Sequence, residues 1–223
     1  EYNMFAVVTD GSITSFPNGN KGITIGDNQY PAAIYTLWTE AERNAIGVYT
    51  VVQDNTNKKE EQWYTNTNQS YAFGSGKVTA TYGTATAKAI ADVSLVWSQA
   101  DIDAGIAPDG ASANDPRNDS DGNQIITRGL KYIKNEMIDN QCAGILAPSD
   151  WRVIREQETG TDMDSDWKTW RASVRTKCNS MQTQITNAAN VDALAALFVY
   201  VNTADEGEPE VYARPLGEFP VKS

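Results

Sequence analysis

The chain contains no histidine. That absence removes the side chain that most often works as a general base near neutral pH and most often ligates zinc. It also removes Ser-His-Asp triads and Cys-His pairs. Cysteine is nearly as scarce, with only Cys142 and Cys178. Their separation fits no metal-binding or redox spacing, so they are expected to be two separate thiols at buried or half-buried sites. Basic residues are few: 18 Lys and Arg stand against 29 Asp and Glu, giving a net charge of −11. A chain of that sign is repelled by nucleic-acid phosphates, which argues against DNA or RNA binding. No apolar run approaches the roughly 20 residues of a membrane span. No secretory leader is recognisable at EYNMFAVV, so the plain expectation is a protein made and assembled in a cytoplasm. Any catalysis would fall to carboxylates, Lys or Tyr, and the sequence offers no catalytic residues, cofactor or metal site as its leading reading.

What is present is an ordinary hydrophobic fraction of 40% over 223 residues, enough to bury a core. The patterning predicts an α+β protein in four parts. Residues 1–97 form a β-rich domain, 98–124 an acidic linker, 125–201 a helical module and 202–223 an extended tail. Phe5–Val8, Ile13–Phe16, Val48–Val52, Gln62–Thr65, Ser70–Phe73 and Lys77–Tyr82 read as short strands between turn signals, suggesting a small antiparallel sheet. Ile23 and Ile25 alternate with polar neighbours as a half-buried strand does. Thr39 three residues before Glu42 has capping-box spacing, and Gly47 suits the end of the short helix between them. The stretch 84–96 is compatible with helix or extended chain. The linker holds six acids, one base and two prolines, too little apolar surface to fix itself.

In the helical module, Ile126, Leu130, Ile133 and Met137 make a narrow apolar stripe that Ile138, Cys142, Ile145 and Leu146 extend. Pro148 ends that helix and Ser149 is a natural cap for the next, which stops near Gly160. Trp167, Trp170, Val174, Cys178, Met181 and Ile185 recur at steps of three and four, the period of packed helices. Asn190 caps a last helix with Leu194, Leu197 and Phe198 inward. The tail is expected to lie along another surface.

Several constellations invite a chemical reading. Asp162, Asp164 and Asp166 alternate, but helix capping explains them without a metal. Around Asp119, Asp121 and Gly122 a calcium loop would put Arg117 and Arg128 where carboxylates are required. Asp205, Glu206, Glu208 and Glu210 could supply the two acids of a glycosidase acting on surface polysaccharide, yet they lie in a polar Gly-Pro stretch that reads as a solvated charge run. Trp63, Tyr64 and Tyr71, with Phe73 and Tyr82, could form a glycan-stacking shelf for host attachment or one wall of a core. The densest cluster is SDWRVIREQETGTDMDSDWKTWRASVR. There Arg152, Arg155, Arg171 and Arg175 lie among Trp151, Trp167 and Trp170, with Asp150 at the start. Arg–Trp stacking and Arg–Asp pairing would lock two helices together, and Trp and Arg are common interface anchors.

The residues Leu146, Asp150, Trp151, Trp167, Trp170, Arg171, Val174 and Arg175 resemble a module of tail proteins and tail-fibre assembly proteins of tailed bacteriophages: Asp-Trp, a turn, then Trp-x-x-aromatic-Arg-x-x-hydrophobic-Arg. Here Trp170 takes the aromatic position usually held by Tyr. YPAAIYTLWTEAERNAIGVYTVVQDNTNKKEEQWY resembles the opening of small virion-associated or uncharacterised proteins of marine phages through Leu37, Trp38, Glu42, Arg43, Gly47 and Tyr49. The resemblance implies a non-enzymatic component of the virion tail or tail fibre, or an assembly chaperone. Its partners would be other tail or fibre proteins, copies of itself in a homo-oligomer, and host surface glycan if the chain serves attachment. It carries no catalytic residues with it.

Overall fold

The computed structural model describes residues 4–222 and parts into two compact units between Ala87 and Lys88. The class is α+β: strands dominate the first unit and helices the second. The first unit runs β1 (Phe5–Thr9), β2 (Ser12–Ser15), β3 (Ile23–Ile25), β4 (Asn28–Tyr30), α1 (Ile34–Leu37), α2 (Glu40–Ala45), β5 (Val48–Asp54), β6 (Tyr64–Thr65), β7 (Gln69–Gly74), β8 (Lys77–Tyr82) and β9 (Thr86–Ala87).

Its main sheet has the order β2-β1-β5-β8-β7. Three of its ladders are antiparallel as expected, but β5 and β8 run parallel, with Val51 opposite Val78, so the sheet is mixed. The reason lies in the connection: β7 intervenes in sequence and pairs antiparallel with β8, which turns β8 back into line with β5. The sheet also curls. Phe16, just beyond β2, lies 4.6 Å from the Tyr71 ring of β7 although the two strands are at opposite ends of the strand order, and Tyr49 reaches Phe73 at 4.8 Å.

The other face of β1 and β5 carries the apolar cluster Phe5, Ile34, Tyr35 and Val48, with Ile23, Ile25, Tyr30, Trp38 and Ile46 packed around it. Two short helices sit here, where one was expected. The second, α2, has the predicted capping box: the Thr39 hydroxyl accepts from Glu42 N and the Glu42 carboxylate accepts from Thr39 N. The first, α1, has no side-chain cap and is held instead by burial of Ile34 and Tyr35. Gly47 closes α2 at φ 81°, and its carbonyl accepts from Val8 N at 2.8 Å. A Cβ there would come 2.7 Å from the Val8 carbonyl oxygen, so only glycine fits.

The second unit contains β10 (Val93–Ser94), α3 (Gln99–Asp103), β11 (Ile126–Thr127), α4 (Leu130–Leu146), α5 (Asp150–Thr159), α6 (Ser165–Asn187), α7 (Val191–Ala196), β12 (Val201–Asn202) and β13 (Tyr212–Ala213). The ambiguous stretch 84–96 is extended, contributing β9 and β10. The segment read as a linker belongs to this unit. Ser98 and Asp101 make a second capping box at the start of α3, Val96 bridges Pro116 and Asn118 bridges Gln124, and the Arg117 guanidinium covers the Trp97 ring at 4.7 Å. At the start of α4, Asp92 accepts from Gly129 N at 2.8 Å and from Arg128 at 2.6 Å. Gly129 packs so closely on the Ala91 backbone that no side chain would fit.

The core of this unit is the pairing of α4 with α6. Its buried line on α4 is Leu130, Ile138, Cys142 and Leu146. The stripe read from the sequence was displaced: Ile126 belongs to β11 and Ile133 is 47% exposed. Steps of four residues put 130, 138, 142 and 146 on one ridge, and the ammonium of the intervening Lys134 lies over the Phe198 ring at 5.2 Å. On α6, Val174, Cys178, Met181 and Ile185 are buried as expected, whereas Trp167 and Trp170 are half-buried. Both cysteines remain thiols. Burial, and then the neighbouring Cys142, push Cys178 up to about 12.

The tail packs on its own chain. After the β12–β13 hairpin, Leu216 is fully buried, its N–H donating to Leu197 O and its carbonyl accepting from Lys177. Among the described residues no helix is long and apolar enough to cross a membrane.

Candidate functional site

Helix α5 begins one 3-10 turn (Ala147–Ser149) after α4 and ends where Gly160 adopts φ 68°. It buries none of its residues. Such a helix needs an external hold, and Arg171 of α6 supplies one. This guanidinium is only 4% exposed. It donates to the Leu146 carbonyl at 2.9 Å, to the Ser149 hydroxyl, and to Asp150 Oδ1 at 2.6 Å. Ser149 is therefore not the side-chain cap that the sequence suggested. Its hydroxyl donates back to the Leu146 carbonyl at 2.8 Å and helps satisfy the arginine. Asp164, similarly, makes no side-chain cap for α6.

Above this clamp lies a ladder of cations and indoles. Arg155 covers the Trp151 ring at 5.2 Å and Arg152 covers it at 4.6 Å. Arg152 also covers Trp167 at 4.3 Å, and Lys222 approaches Trp167 at 5.4 Å. Trp167 meets Trp170 edge to face at 5.5 Å, and Trp170 Nε1 donates to Pro220 O at 3.0 Å. Asp150, Trp151, Arg155, Trp167, Trp170 and Arg171 thus converge, as the sequence cluster implied. Arg175 does not join them: Arg171 points inward while Arg175 is exposed. Two participants take roles that the sequence reading did not give them. Ser149 was read only as a cap, and Arg152 had no assigned ring. The signal for Arg152 was its place beside Trp151, but its second ring lies beyond the Gly160 turn and is brought in only by tertiary structure.

The acids of the connection are paired with cations: Asp164 with Arg152 at 3.6 Å, Asp162 with Lys168 at 3.7 Å, and Glu156 with Lys168 at 2.5 Å. The Lys168 hydrogen bond holds the Glu156 carboxyl below its usual range. Asp119 accepts from the backbone N–H groups of Asp121 and Asn123, the geometry of a turn. Among the described residues no group of three or more Cys, Asp or Glu is arranged to hold a metal ion. Asp205, Glu206, Glu208 and Glu210 are exposed in the β12–β13 connection.

The aromatic shelf expected in the first unit is dispersed. Trp63 is 3% exposed and belongs to the core. Tyr64 is half-buried in β6 with the Lys59 ammonium 4.9 Å from its ring, and Tyr71 packs on Phe16. These three rings do not form one open stacking surface. Trp151 of α5, by contrast, is an open aromatic, at 50% exposure beside Ile154 at 54%.

Compared with protein-family models, with curated proteins and with solved structures, the chain matches none.

Proposed function

We propose that this chain is a non-enzymatic component of a bacteriophage tail or tail fibre that acts through protein–protein contacts. The observation that carries the reading is α5: a helix with no buried residue, fixed by a buried arginine, that presents Trp151 between two guanidinium groups. Rigid placement of an exposed Trp–Arg surface is how interface anchors are prepared, because little side-chain freedom remains to be lost on binding. The sequence likeness of the same residues to phage tail modules supplies the context.

The test is proteomic. Tail and fibre fractions are purified from particles of the phage whose genome encodes the chain, and its peptides are quantified against a known tail protein. Stoichiometric recovery is the expected result. Absence from particles that fail to assemble without the chain would make it an assembly chaperone instead. Absence from particles that assemble normally without it would sink the reading.

A further inference from the structure

The cation–indole ladder on α5 has a counterpart elsewhere in the same chain. The β12–β13 hairpin exposes Val199, Tyr200, Val201, Val211 and Tyr212, at 48% to 58% each, and its connection holds Asp205, Glu206, Glu208 and Glu210. Neither Glu206 nor Glu208 forms an ion pair among the described residues. Arg155 likewise has no carboxylate, and its Nε is buried without a hydrogen-bond partner. One surface therefore has an open aromatic and an unpaired guanidinium. The other has open aliphatic and tyrosine side chains and unpaired carboxylates.

The two are set apart along α6. The tail places Leu216 beside Lys177 and Lys222 beside Trp167, a span of about 15 Å at the rise of a helix. The hairpin roots at the Lys177 end, where Tyr200 and Arg214 both bond Glu218. The ladder stands at the Trp167 end. We propose that the acidic hairpin of one copy docks on the Trp151–Arg155 face of another. The reading rests on the view that this chain works through protein contacts, and it names the partner. Because two different surfaces meet, the contact is heterologous and runs head to tail, giving a ring if it closes and a filament if it does not. A net charge of −11 disfavours most contacts between copies, and setting the Glu206 and Glu208 carboxylates against the Arg155 guanidinium brings opposite charges together in this one.

The test uses the full chain and two variants, Trp151→Ala with Arg155→Ala, and Glu206→Gln with Glu208→Gln. All the altered side chains except Arg155 are exposed, and thermal melts confirm that each variant folds. Sedimentation at up to about 100 μM detects contacts of micromolar to near-millimolar strength. The wild type is expected to self-associate in a concentration-dependent way, each variant to associate at least about tenfold more weakly, and a one-to-one mixture of the variants to form dimers that grow no further. A monomeric wild type, unaffected association in both variants, or a mixture that stays monomeric overturns the proposal. Recovery of the chain from tails while it is monomeric in solution would defeat self-docking and leave the tail reading standing. Head-to-tail oligomers of a chain absent from tails would do the reverse.

Discussion

The two units of this chain solve the problem of buried polar groups differently. In the first, polar backbone is consumed by strand ladders and by one capping box, the cluster around Phe5, Ile34 and Val48 is apolar but for the Tyr35 hydroxyl, and the Arg43 guanidinium beside it is only part-buried where it donates to the Trp38 carbonyl. In the second, α6 buries a guanidinium at the point where the chain turns from α4 to α5. The first arrangement is held by hydrophobic burial, which has no preferred direction. The second is directional: three acceptors fixed in space specify one orientation for α5, a helix that has no core of its own. A directional bolt is what a surface helix needs if it must present particular side chains rather than merely stay attached.

Removing the bolt is the sharpest way to break that contrast. Arg171→Ala leaves the Ser149 hydroxyl and part of the Leu146 carbonyl without a donor and opens a cavity between helices. The expected loss is about 3 kcal/mol, read as a lower urea midpoint. Arg171→Lys should recover little, because a single ammonium cannot reproduce the fork that reaches the Leu146 carbonyl, the Ser149 hydroxyl and Asp150 together. Full recovery by Lys would show that charge, not geometry, holds α5.

The counterpart in the first unit is smaller. Thr39→Ala removes the hydroxyl that accepts from Glu42 N and should cost about 1 kcal/mol. The loss should appear in probes of the first unit, such as hydrogen exchange at Glu42. No change would mean that α2 is held by its neighbours rather than by its cap.

That cap was legible in the sequence because every atom of it lies within four residues. So were Gly47, Gly160 and the Asn190 cap, whose side chain accepts from Ala193 N as the pattern implied. The apolar line of α6 was legible for the same reason. The parallel register of β5 with β8 was not, since neither strand carries a signal for which partner it takes. The face of α4 was misplaced because Ile126 and Ile133 continue a helical period that the fold does not use. Of the site, the sequence supplied the cluster and the idea of a helix clamp. It could not supply the split between Arg171 and Arg175, which differ by one turn and are decided by what α4 places opposite them. Nor did it show the tail returning to α6, although Leu216, between Pro215 and Gly217, is a lone aliphatic in a polar stretch and could have been read as an anchor.

Acid should separate the units more gently. Asp92 is held below its usual range by Gly129 N–H and then by Arg128, and Glu156 by Lys168. For Glu218, burial opposes the shift, but hydrogen bonds from Tyr200 and Arg214 bring it down. In the first unit Glu42 and Asp54 are lowered by Thr39 and Thr56 respectively. A carboxyl lowered in the folded state binds its proton more readily when unfolded. Its contribution is therefore complete above the unfolded value near 4 and is lost as pH falls through the folded value. In the second unit Asp101 is lowered chiefly by its own cap residue Ser98, but the other lowered acids join distant segments: Asp92 to α4, Glu156 to α6 and Glu218 to the hairpin root. Those of the first unit bond within three residues. Between pH 5 and 2 the helical unit should therefore lose tertiary contacts first, seen as a change in tryptophan fluorescence from Trp151, Trp167 and Trp170 before strand protection declines. Simultaneous loss in both units would mean that these ties contribute no more to the fold than the local turns do.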